Sequence, residues 1–321
     1  MLALATVVHA QDSTSNTSTN DSKVLPLVEF HEVPITAAIK NLARQSELNC
    51  LIDPQLEQTW REANEPSISC KIKNVTAKFV LRRILELRHL ALLEDVDANI
   101  AIIIPKSQIA NPLFARILNT EKNSPQHHTN GIIPLIMFGD VPITTAIENL
   151  ARQAGINYMI DPKVSDLWES SSSQYVSEPL LTFRFERVTA KNALNSILTL
   201  YRFILVEDSV AHVSRITFAS EPLPSVDANL LEMEVNPTTP STNGVFPLIQ
   251  FQDVPLDVAC KYMIRATESK IELDSSVKPT PLLSLRWEDV TAKQALLALC
   301  QNYGLVIVKN SKTGVIQIKP K

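Results

Sequence analysis

Glycine is scarce in this 321-residue chain, 6 in all, and no Gly-rich phosphate-cradling motif stands out. Cysteine numbers 4 and histidine 6, with no Cys/His cluster at ligand spacing, so neither a metal nor a cofactor is expected. No charge of one sign dominates. The net charge of -4 and pI near 5.9 argue against a nucleic-acid binder, which carries a basic face. No apolar run approaches the ~18–20 residues of a membrane-spanning helix. No Ser-His-Asp order or Cys-His pair marks a nucleophilic site, and the chain reads as a non-enzyme. His127-His128 lies in a polar stretch without nearby cysteines or clustered carboxylates and reads as solvated linker. Proline, by contrast, is abundant at 20, which suits many short elements.

The first ten residues are apolar and end Val8-His9-Ala10 before Gln11, the pattern of an export-signal cleavage site. A charged n-region is missing, so the true start is expected upstream; a hydrophobic terminus without a targeting role is the other reading. Gln11 to Ser22 is nearly all Ser, Thr, Asn and Asp, too polar to bury a core, and is expected to be a disordered leader.

The dominant feature is an internal repeat. Pro26-Leu-Val-Glu-Phe30 through Gln45, Pro134-Leu-Ile-Met-Phe138 through Gln153, and Pro247-Leu-Ile-Gln-Phe251 through Cys260 match, each followed by an apolar run ending at Asp53, Asp161 or Asp274. A second block recurs as Asn74-Val-Thr-Ala-Lys78, Arg187-Val-Thr-Ala-Lys191 and Asp289-Val-Thr-Ala-Lys293. The spacing between the blocks varies, which predicts a loop there.

Each copy reads as alternating strand and helix. Val28 and Phe30 alternate with Glu29 and His31, the period of a half-buried strand. Pro34, Pro142 and Pro255 then open a helix, with Glu32, Asp140 and Asp253 placed to complement its dipole. Ala38, Ile39, Leu42 and Ala43 form one apolar stripe. After a short strand stopped by the recurring Asp, a third strand points Ile68/Cys70/Ile72, Leu181/Phe183/Phe185 and Leu283/Leu285/Trp287 inward. Thr76, Thr189 and Thr291 cap a second helix, with Gln294 completing a capping box. A last strand is expected near Ile100–Ile104, Ala211–Phe218 and Val315–Ile318.

The expected fold is therefore α+β: three tandem β-α-β-β-α-β domains over 24–106, 132–219 and 245–321. Linkers of Pro, Ser, Thr and Asn cover 107–131 and 220–244, with Leu113, Ile117 and Leu230-Leu231 placed to pack on a neighbour.

Phe138-Gly-Asp-Val-Pro142 with Val188-Thr-Ala190, and Phe251-Gln-Asp-Val-Pro255 with Val290-Thr-Ala292, resemble the secretin and TonB short N-terminal domain. Copy one departs from the pattern at Glu32 and Val80. The resemblance spans most of the three copies. It implies a periplasmic or outer-membrane-associated module that contacts protein partners, of secretin, TonB-system or anti-sigma type. No barrel, pore or plug segment follows the third copy, so the expectation is an adaptor array detached from a channel, serving secretion, transport or signalling. A cell-envelope enzyme with an inter-domain site, such as a cell-wall hydrolase, and a structural envelope spacer are the alternatives.

Few residues stand out as site candidates. Asp53, Asp161 and Asp274 read as strand-end turn residues rather than catalytic acids. Cys50 with Cys70, and Cys260 with Cys300, fall within one copy each; disulfides and buried apolar thiols both fit an exported chain. Trp60 and Trp168 occupy the variable loop of copies one and two, either as partner-binding anchors or folded back on their own domain.

Overall fold

The computed structural model describes residues 23–96, 98–114, 131–169, 178–219, 244–267, 270–309 and 315–321, without the side chains of 167–169. The leader, His127-His128, Ile117, Leu230-Leu231 and the side chain of Trp168 lie outside the described residues. The fold is a mixed α/β architecture of small sheets.

Copy one runs β1 (Val24–Pro34), α1 (Ile35–Gln45), β2 (Asn49–Ile52), α2 (Pro54–Glu62), β3 (Ser67–Thr76), α3 (Ala77–Leu87), β4 (Leu90–Asp95) and β5 (Ile100–Pro105). Copy two repeats the order as β6 (Ile132–Pro142), α4 (Ile143–Gln153), β7 (Tyr158–Ile160), α5 (Pro162–Glu169), β8 (Leu180–Thr189), α6 (Ala190–Leu200), β9 (Phe203–Val206) and β10 (Ser214–Phe218). Copy three has β11 (Val245–Pro255), α7 (Leu256–Ala266), β12 (Ile271–Leu273), β13 (Leu282–Thr291), α8 (Ala292–Asn302), β14 (Leu305–Lys309) and β15 (Ile316–Pro320). Each copy builds a two-stranded ribbon (β1-β3, β6-β8, β11-β13) and a three-stranded sheet (β2-β5-β4, β7-β10-β9, β12-β15-β14). In each three-stranded sheet the central strand is parallel to one neighbour and antiparallel to the other.

Two of these elements were not expected. A fifth strand follows the second helix in every copy: His89, Arg202 and Gly304, all at positive φ, turn the chain straight from helix into β4, β9 and β14. The variable loop is helical in copies one and two. Asp53 caps α2 by accepting from the Gln55 N–H, with Pro54 at the first helical position, so the Asp-Pro that ends β2 also starts a helix. The last strand of copy two also begins at Ser214 rather than Ala211.

The bulge in the ribbon recurs too. Between Phe30 and Val33, and between Phe251 and Val254, the register slips by one residue. Glu32, Asp140 and Asp253 take the left-handed conformation there, and their N–H groups donate to the hydroxyls of Ser69, Thr182 and Ser284. These acids therefore serve the bulge. The carboxylate at the start of the first helix comes from elsewhere: Glu65 and Glu178 accept the N–H and hydroxyl of Thr36 and Thr144. In copy three Asp257 stands in the first helical turn itself.

The described chain divides into two compact units, one of residues through Asp140 with Thr182–Tyr201, the other of Val141–Leu181 with Arg202–Lys321. Each unit thus holds one whole copy and part of the middle one. In the first, the stripes of α1 and α3 bury against Val28 and Phe30 of the ribbon and Ile52, Leu90 and Ile103 of the three-stranded sheet. Leu113 and Phe114, at the start of the expected linker, are buried as well. In the second, α7 and α8 form the corresponding core around Trp287, which Met159, Ala211 and Val213 of copy two join.

The second helix is capped as the spacing predicts, by Thr76, Thr189 and Thr291, with the full capping box at Thr291 and Gln294. Thr291→Ala removes the acceptor for the Gln294 N–H and is expected to lower stability by about 1 kcal/mol, measured by urea unfolding.

Candidate interaction joints

The recurrent polar constellation lies where one copy meets the next. Asn49 opens β2, and its amide faces the outer edge of β8: Nδ2 donates to the Glu186 carbonyl at 2.8 Å and Oδ1 accepts the Glu186 N–H at 2.6 Å. A side-chain amide here does the work of a neighbouring strand, satisfying both backbone groups of one edge residue. Asn49 also donates to the Asn99 carbonyl, which orients it.

The second unit repeats the arrangement. Asn157, at the same position relative to its strand-end Asp, donates to the Glu288 carbonyl at 2.7 Å and accepts the Glu288 N–H at 2.8 Å. Two further bonds tie this joint: Trp287 Nε1 donates to the Tyr158 carbonyl at 2.9 Å, and Asn302 donates to the Ile160 carbonyl at 3.1 Å.

An apolar layer backs the polar clamp. In the first unit α6 packs on β5, and every residue from Ile100 to Ile104 is buried. Alternation along β5 explains this: Ile103 belongs to its own copy's core, whereas Ile102 and Ile104 point to the opposite face. The matching residues in copy two are Arg215 and Thr217, and both hold the buried carboxylate of Asp161. Asp161 also caps α5 through the Lys163 N–H. Asp53 and Asp161 are thus buried and each starts a helix, where a turn was expected.

A tyrosine recurs at the rim. Burial pushes Tyr201 up to about 12, with Glu57 and Asp53 of copy one adding to the shift and Arg61 opposing it. Burial likewise pushes Tyr303 up to about 12, the Asn302 side chain opposing and Asp161 adding. Each tyrosine thus feels the negative charge of a strand-end Asp of the preceding copy.

The cysteines stand apart from the joints' polar contacts. All four are free thiols, and each is shifted toward the protonated form. Burial pushes Cys50 and Cys260 up to about 12, Cys300 well above its ordinary value and Cys70 upward. A thiol held protonated is a poor nucleophile. Trp60 lies on α2 and packs against the core of copy one, folded onto its own domain; Trp168 lies on α5. The joint residues Asn49, Asn157, Glu186 and Glu288 were not singled out by sequence, because each clamp bonds a side chain to the backbone of a residue more than a hundred positions away. No protein-family model matches the chain, and searches of curated proteins and of solved structures returned no match.

Asn49→Ala leaves the Glu186 N–H and carbonyl without their partner and is expected to lower stability by about 2 kcal/mol in urea unfolding. Asn49→Asp is expected to be no better, since a carboxylate cannot donate to the Glu186 carbonyl. Native protein treated with iodoacetamide at pH 8 is expected to label slowly at all four cysteines, with full reaction only in denaturant.

Proposed function

We propose that this chain is a non-catalytic protein-interaction array of the secretin and TonB short N-terminal type, with three such domains in tandem. It acts in the periplasm or at the outer membrane as an exported protein, binding partners in secretion, transport or signalling. The observation that carries the reading is the open ribbon edge repeated once per copy. Among the described residues β1, β6 and β11 each pair on one side only, and Leu27, Leu135 and Leu248 lie exposed along them at matching positions. A strand with one unpaired edge and an exposed apolar side chain suits β-augmentation, in which a partner's extended segment adds to the sheet. Three tethered edges of one kind favour a ligand that is itself repeated, since each further engagement is intramolecular.

A structural envelope spacer is the second reading, and the clamped joints Asn49–Glu186 and Asn157–Glu288 favour it. The two differ in whether the ribbon edges take a ligand. Chemical crosslinking after pull-down from periplasmic extract is expected to recover protein partners joined to β1, β6 or β11, and to lose them when Leu27, Leu135 and Leu248 are all replaced by Asp. Failure to recover a partner through these strands, even with crosslinking, counts against the array and leaves the spacer.

A further inference from the structure

The two joints define what the front of a copy receives, and among the described residues the front of copy one is not covered by another copy. In copies two and three the second helix is covered there. Leu200 and Asn302 are each 6% exposed, and Ser196 and Ala298 are buried. At the same helical positions copy one carries Leu87, 74% exposed, and Arg83, also exposed. Lys73 stands where Glu186 and Glu288 receive the Asn clamps, since Leu27–Lys73 and Leu248–Glu288 share one ribbon register. Arg88 stands at the end of the second helix where copies two and three carry Tyr201 and Tyr303. Its guanidinium donates to the Ser67 carbonyl at 3.3 Å.

We infer that the front of copy one is a docking site for a folded polypeptide presenting the outer face of a three-stranded sheet, with an edge strand of the kind Asn-x-apolar-Ile-Asp. That is the strand which copy one offers as Asn49-Cys-Leu-Ile-Asp53 and copy two as Asn157-Tyr-Met-Ile-Asp161. The partner's Asn pairs with the backbone of Lys73, its apolar residues cover Leu87, and its Asp meets the charge of Arg88. The last pairing sets a fixed cation where copies two and three carry the neutral Tyr201 and Tyr303, so the front of copy one is tuned to a docking strand with the same acid.

A second copy of this chain does not fit. The equivalent strand of copy three reads Lys270-Ile-Glu-Leu-Asp274, and Lys270 cannot accept the edge N–H and would face Lys73. The outer sheet positions that are Leu51, Ile102 and Ile104 in copy one become Glu272, Gln317 and Lys319 in copy three, none of them buried. Such a face would set charge against Leu87. The inference rests on the joints and stands independently of the envelope reading.

The test uses purified full chain in sedimentation velocity. A tail variant carrying K270N, E272L, Q317I and K319I recreates the sheet face of copy one at the end of copy three. It is expected to assemble head to tail as concentration rises, while the unsubstituted chain stays single. Adding L87D, or separately R88E, is expected to weaken that assembly by about tenfold or more. A milder tail variant, K270N with E272L, gives the same comparison if the fourfold variant does not fold. A tail variant with wild-type circular dichroism that sediments as single chains overturns the inference. So does assembly that persists undiminished with L87D, or assembly of the unsubstituted chain through Leu87.

Discussion

An asparagine amide laid against the edge of a β-ribbon organises the contacts between copies. The third strand of each copy forms one edge of its two-stranded ribbon, and an edge presents N–H and carbonyl groups that need partners. At Glu186 and Glu288 the partner is one Asn side chain, whose amide carries the same donor and acceptor as a peptide. The clamp spends no additional strand and fixes the register at a single residue. Both bonds must form together, since an amide rotated by half a turn would set donor against donor.

Once the clamp is in place, the outer face of each three-stranded sheet must match what is laid on it. Copy one meets this with Ile102 and Ile104, buried against α6. Copy two meets it with Met159, which joins the core around Trp287, and with an inward-turned Arg215–Asp161 pair. Copy three carries Gln317 and Lys319 there. The outer face thus grades from apolar to polar along the chain, and a polar face left uncovered does not invite association. The front of copy one keeps Leu87 in the open, ringed by Lys73, Arg83 and Arg88.

Much of the framework was legible in the residues. The proline-opened helices, the Thr caps and the inward alternation of Leu181, Phe183 and Phe185 follow from local chemistry, and the structure keeps them. The fifth strand escaped because it follows the helix after one left-handed residue, with glycine only at Gly304 to signal the turn. The helix α2 is hidden because Asp53-Pro54 looks like a strand stop, although the same pair is a helix start. Glu32 has the placement of a helix-dipole charge, but a left-handed bulge residue needs its N–H satisfied first, and Glu65 supplies the carboxylate at the helix start. The joints were illegible for a deeper reason: their partners are backbone atoms, which carry no residue identity. Only the exchange of Asn for Lys270 in copy three and of Glu for Lys73 in copy one leaves a trace in sequence.

Backbone amide hydrogen exchange at three equivalent residues tests the clamp most directly. Lys73, Glu186 and Glu288 occupy one register position on three ribbons, and only the latter two face an Asn. The account predicts slow exchange at Glu186 and Glu288 and open-edge exchange at Lys73. Equal, fast exchange at all three amides would contradict it.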